Sequence, residues 1–335
     1  MPGVIKKLDF RLEEVLGFSG VELGDPYWKI EHALKKGGIR FRLDRRGPPV
    51  GVGDRDYDFK TLVSLPGLRR KRGAHVFLNT NLGVLESATF FMFSRTPSAT
   101  RELYGAMRVA LAQRYGPMKT GEFTENTEPF SEVWTEYDPS SAAPPKRSLM
   151  IGFAIPTADT YFVTLGLQLF LFRSTKSKSP KPNPPEISYA SITEISSLKP
   201  KLGLNELRTA LDGAMFEERG YNRPMMAYLC GKRRVTLPGL RHEPLDIALV
   251  VSRKAGLLSL TIDVNGRRGT SAHVRASGAR IRRAMTRLSG RPSMQMKTVV
   301  GRRDEWYCGN QQLRVTEVHR PRPRCVVQFG DLLFW

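Results

Sequence analysis

The chain is 335 residues long, 40% hydrophobic and 25% charged, and its 53 lysines and arginines outnumber 32 aspartates and glutamates to give a net charge of +21. This length suits about two domains, and the composition is that of ordinary packed cores. A bilayer-spanning helix is excluded, because the most apolar stretch, Tyr161–Phe172, is shorter than the roughly 20 residues a span requires.

The opening residues, MPGVIKKLDFRLEEVLGF, carry acids early and no continuous apolar run, which argues against a secretory signal and for a cytoplasmic protein. Taken in chain order, the first half begins with a helix over Pro26–Lys36. Strands follow near Tyr57–Leu65, Ala74–Leu78 and Leu85–Phe93, where β-branched and aromatic residues run between glycines and prolines. A second helix spans Pro97–Tyr115, with Thr96 or Ser98 as its cap. Leu103, Met107, Ala110 and Leu111 form its apolar face, and Gly116-Pro117 is its stop. Strands at Ser131–Tyr137, Leu149–Ile155 and Tyr161–Phe172 close the half.

The stretch Arg173–Glu186, RSTKSKSPKPNPPE, holds four prolines and no apolar residue. Residues 173–187 therefore read as a solvated linker between a first module, 1–172, and a second, 188–335. The second module opens with a helix over Leu204–Glu217, capped by Asn205, with Leu204, Leu207 and Leu211 on one stripe. Strands fall near Arg233–Leu237, Leu245–Ser252 and Leu257–Val264. A helix over Gly278–Ser289, ended by Gly290, precedes strands at Glu305–Cys308, Leu313–Val318 and Cys325–Phe329. Each half reads α-β-β-β-α-β-β-β. Adjacent strands with short turns imply antiparallel sheets with helices on one face, an α+β fold.

The halves also align with each other. SLPGLR from Ser64 matches TLPGLR from Thr236, and GVLESATF from Gly83 matches GLLSLTID from Gly256. Gly116 falls on Gly290 after the second helix, Trp134 on Trp306, and Leu23-Gly24 on Leu202-Gly203. Matches in one order at a nearly constant offset indicate a tandem duplication of the module.

Signatures of enzyme chemistry are missing. The sequence has no GxSxG, GxxxxGK[ST] or HExxH, and no GxGxxG after a strand. Asp54, Asp56 and Asp58 begin like a calcium loop, but Phe59 and Leu65 stand where such a loop needs Gly and Glu, so they read as a half-exposed strand. The histidines His32, His75, His242, His273 and His319 are scattered, without metal-ligand spacing. The cysteines Cys230, Cys308 and Cys325 form no CxxC and read as free thiols of a reducing compartment. A non-enzymatic protein without metal or other cofactor is the expectation. Trp134 and Trp306 read as core anchors, with a ligand-stacking role as the alternative.

Charge is the outlying feature. Residues 1–172 carry +4, 173–187 carry +3 and 188–335 carry +14. The second module's second helix places Arg280, Arg283, Arg287 and Arg291 in one stripe, bordered by Arg282. Arg267 and Arg268 lie upstream, Arg302 and Arg303 downstream. Arginine forks suit phosphate oxygens, so these nine residues are the candidate surface for nucleic acid, DNA or RNA, or another polyanion. The alternative is an interaction or inhibitor-type protein, for example toxin-neutralising, that binds an acidic protein partner.

Overall fold

Tyr57, Phe59 and Val63 alternate with Asp58, Lys60 and Leu62, and a period of two turns one set toward a core and the other away. The computed structural model describes residues 8–46, 54–116, 130–136, 147–157, 160–171, 173–174, 187–211, 216–218, 226–252, 254–264, 270–308, 311–320 and 322–331. The chain divides into two compact units, the first formed by residues up to 45 and 54–171, the second formed chiefly by residues from 172 onward. Among the described residues, no helix is long and apolar enough to cross a membrane.

In the first unit, α1 (Leu12–Leu16) and α2 (Tyr27–Lys36) precede β1 (Phe41–Arg46), β2 (Asp54–Val63), β3 (Arg72–Asn81) and β4 (Val84–Ser94). Helix α3 (Pro97–Tyr115) leads to β5 (Phe130–Thr135), β6 (Arg147–Thr157) and β7 (Thr160–Leu169). The sheet order is β1-β2-β3-β4-β7-β6-β5, so the second meander folds back with β7 beside β4. Leu12, Leu16, Ile30, Leu34, Leu103, Met107 and Leu111 from the three helices join Tyr57, Val76, Phe90, Trp134 and Leu165 in one core. The Thr96 hydroxyl caps α3 by accepting from the Ala99 amide, as one of the two expected caps.

In the second unit, β8 (Arg173–Ser174), α4 (Tyr189–Thr193), α5 (Leu204–Ala210) and β9 (Phe216–Glu218) lead into β10 (Met226–Leu237), β11 (Leu240–Ser252) and β12 (Gly256–Asp263). Helix α6 (Ser271–Ser289) is followed by β13 (Met294–Lys297), β14 (Gly301–Cys308), β15 (Gln311–Val318) and β16 (Arg324–Asp331). The sheet order is β8-β13-β14-β15-β16-β12-β11-β10-β9. Here too a three-stranded meander, a helix and a second meander follow one another, with the last strand beside the third. The core gathers Tyr189, Leu207, Leu249, Leu260, Val274, Ile281, Met285, Trp306, Val315 and Phe329. Every described strand pairing in both sheets is antiparallel, and the fold is α+β.

Several local geometries recur. The Trp134 indole donates to the Gly116 carbonyl at 3.2 Å, and the Trp306 indole donates to the Gly290 carbonyl at 3.1 Å. Both rings are buried core anchors, as expected, with their N–H groups satisfied at the end of α3 and of α6. The hairpin turns at Gly67 and Gly239, with φ of 81° and 85°, press against the helix backbone at Ala106 and Arg280, which leaves no room for a side chain. Gly24 and Asp25 bond to Leu85, just as Lys201 and Leu202 bond to Leu257. The backbone thus matches Gly24 with Lys201, two residues from the Gly203 that the sequence alignment suggested. Both residues have positive φ, 88° at Gly24 and 65° at Lys201, so conformation rather than residue identity marks the equivalence.

Other expectations need correction. The helix expected over Leu204–Glu217 stops at Ala210, where Asp212-Gly213 continues a helix poorly, and Phe216–Glu218 instead pairs with Leu229–Gly231. Its first turn is closed by Glu206, whose carboxylate accepts from the Gly203 amide, and not by Asn205. Helix α6 begins at Ser271, capped by Thr270, and not at Gly278. At the proline-free start of the expected linker, Arg173–Ser174 retains its amides and pairs with β13, forming the edge of the sheet. The rest of that stretch, 175–186, lies outside the described residues.

Candidate functional site

Helix α6 packs on β14, β15 and β16, with Val274, Ile281 and Met285 directed into the core. A helix that buries one stripe must present the opposite one, and that stripe holds Arg280, Arg283 and Arg287, all exposed. Exposed Arg291 follows the helix, and exposed Arg275 lies on its second turn. At the other end the Ser271 hydroxyl donates to the His319 carbonyl, which sets exposed Arg320 beside the first turn. No aspartate or glutamate occurs from 264 to 303, a stretch holding 11 lysines and arginines, so α6 carries no carboxylate to offset this row.

The structure divides the remaining expected residues. Arg282 turns inward from the helix, pairing with Glu317 and lying 3.6 Å from Asp304. Arg302 grips Asp304 with two bonds, at 2.7 and 2.9 Å, and Gln295 donates a third at 2.9 Å. Asp304 is fully buried and Glu317 nearly so. Arg303 is one residue further along β14 and therefore on the opposite face from Trp306, where it is buried and donates to the Thr316 hydroxyl at 3.3 Å. Of the nine expected residues, then, Arg280, Arg283 and Arg287 share the exposed row and exposed Arg291 follows it, while Arg282, Arg302 and Arg303 hold strands and helix together. Arg267 and Arg268 lie outside the described residues.

Asp304, Glu305 and Glu317 are the first acids after this arginine-rich stretch in the sequence. In the structure, all three are buried and matched with arginines. Arg314 donates to Glu305 at 2.7 Å, and Arg324 similarly lies 3.1 Å from Asp263. Burial pushes the Glu317 carboxyl above the usual carboxylate range, against the pull of Arg282. Burial likewise raises the Cys325 thiol, helped by Glu317, which leaves it a poor nucleophile.

His319 sits at the rim of this cluster, its Nε2 3.9 Å from Glu317. Burial, then Arg275 and Arg282, hold its imidazole below the ordinary value of 6.5. The folded chain therefore keeps His319 neutral where the unfolded chain would bind a proton. Its contribution to stability is complete above pH 6.5 and is lost as pH falls through the folded value. Urea midpoints of the native chain should drop more between pH 7.5 and 5.5 than those of His319→Asn; equal drops would refute this.

In the first unit, Asp58 pairs with His75 across β2 and β3, on a half-exposed strand as expected. Among the described residues, no group of three His, Cys, Asp or Glu side chains is placed to hold a metal ion. Comparison with protein-family models, curated proteins and solved structures gives no match. The corresponding helix of the first unit, α3, carries Arg101, Arg108 and Arg114 together with Glu102. Arg114 there lies 3.2 Å from Asp9 and 3.4 Å from Glu14, and its hydrogen bond lowers the Asp9 carboxyl below its usual range. Helix α3 thus has Glu102 on it and Asp9 and Glu14 beside Arg114, whereas α6 has no carboxylate of its own.

Proposed function

We propose that this is a non-enzymatic binding protein that engages nucleic acid, or another polyanion, through the exposed arginine row of α6. One observation carries the reading: Arg280, Arg283 and Arg287 share an exposed helix face, exposed Arg291 follows the helix, and the stretch holds no acid, while the carboxylates of Asp304 and Glu317 are buried with Arg282 and Arg302. Solvated faces ordinarily mix signs; a face of one sign attracts polyanions at long range. From Arg280 to Arg287 the row runs about 10 Å, enough to meet several phosphates of one strand. We further read the two units as copies of one duplicated module, supported by their common strand order and the matched tryptophans, turn glycines and entry bonds. On that reading the second copy acquired a cationic helix that the first lacks. The thiols of Cys230 and Cys325, not joined in a disulfide, agree with a reducing, cytoplasmic setting.

The test is binding of labelled duplex and single-stranded oligonucleotides across a salt series. Changing Arg280, Arg283 and Arg287 to Glu should weaken binding by at least about tenfold, and should flatten the slope of log K against log salt by roughly 2–3. Absence of binding by the native chain at low salt would sink the proposal and leave the acidic protein partner as the reading to pursue.

A further inference from the structure

The first sheet has a second face. Its core side is covered by α1, α2 and α3, and on the other side Phe77, Phe91, Phe162 and Phe93 run across β3, β4 and β7. Successive ring centroids are 5.5, 5.5 and 5.8 Å apart, each pair edge to face, and His75 extends the run at 4.6 Å from Phe77. Phe77, Phe91 and Phe162 are each partly exposed. Phe93 is 52% exposed and Leu62, on the same side, is 60% exposed.

Cross-strand ring pairs do stabilise sheets, but a row can form without them. On the second sheet the row Ala248, Thr261 and Gln328 crosses three strands of the same order, on the face away from its core, without a ring. Cations flank the aromatic run. Arg69, Arg70 and Lys71 are exposed, and Arg72 ties their end of the sheet to the Phe93 corner by donating to the Phe93 carbonyl and the Ser94 hydroxyl. Arg95 and Lys60, also exposed, lie at that corner and directly across from His75.

Rings on a sheet face, bordered by cations, match single-stranded nucleic acid: bases stack on the rings and phosphates meet the cations, without sequence preference. A duplex hides its base faces and cannot use such a surface. We infer that the Phe77–Phe91–Phe162–Phe93 face of the first unit is a base-stacking site for single-stranded nucleic acid, separate from the arginine row of α6.

The probe is labelled dT12, compared with an abasic phosphodiester strand of equal length and charge. The full chain should prefer dT12 by at least about fivefold, the expected effect of stacking one base. Phe93→Ala and Phe93→Leu should both reduce this preference toward unity, and Phe93→Trp should keep it. The Leu variant preserves apolar packing, so a fold defect cannot mimic the result. In the Arg280→Glu, Arg283→Glu, Arg287→Glu background, duplex binding should fall while the preference for dT12 over the abasic strand persists. Equal affinity of the native chain for the two strands, or an unchanged preference in Phe93→Leu, overturns the inference and leaves the α6 reading untouched.

Discussion

Arg282→Met is expected to destabilise the second unit by about 3–5 kcal/mol, whereas Arg283→Met, one residue away, should stay within about 0.5 kcal/mol. The two arginines look interchangeable in the sequence. Arg282 reaches into the sheet and neutralises Glu317, which sits in a site too dry to hold a carboxylate alone. Removing the guanidinium leaves that carboxylate buried without its partner, which costs far more than an exposed charge. Urea denaturation reads the difference as a shift in midpoint at unchanged slope. Adding Glu317→Leu to Arg282→Met should recover much of the loss, because an apolar pair can replace a buried ion pair at little cost. Equal midpoints for the two single variants would show that Glu317 finds its counter-charge elsewhere.

Trp306→Ala should cost a similar amount, about 3–5 kcal/mol, as should Trp134→Ala in the first unit. Each ring is about 1% exposed and lies within its own unit's core. Phe at either position should cost less, keeping most of the apolar volume but leaving the Gly116 or Gly290 carbonyl without its indole donor. Denaturation of the four variants tests this. An alanine variant as stable as the native chain would show that the indole anchors nothing.

Much of the architecture was legible because it rests on short-range rules. Periodicity and caps delimited α3 to the residue, and the runs at Leu85–Phe93 and Leu313–Val318 fell inside their strands. Errors arose where a distant contact overrode a local cue. Gly278 resembles a helix start, yet lies within α6 because a side chain there would collide with Glu317. Helix period found the arginine row, since Arg280, Arg283 and Arg287 must share a face. It could not tell that Arg282 turns inward, because its partners lie 22 and 35 residues away on β14 and β15. The aromatic face did leave a trace: Thr89–Phe93, TFFMF, is apolar at both parities, the mark of a strand with two apolar faces. Reading only the alternation toward the core concealed it.

The turn at Gly239 bears on how tightly the arginine row can hold a ligand. Its α-carbon lies against the carbonyl of Arg280 itself, and the indole of Trp306 holds the far end of the same helix at Gly290. Pinned at both ends of the row, the backbone of α6 is denied the sliding and rolling that would blur the spacing of its guanidinium groups. The ordering of that backbone is complete once the chain has folded. On the proposed function, a polyanion meeting the row would need to immobilise only side chains, so more of each charge contact would survive as affinity, and a strand of mismatched phosphate spacing would gain little from the helix adapting to it.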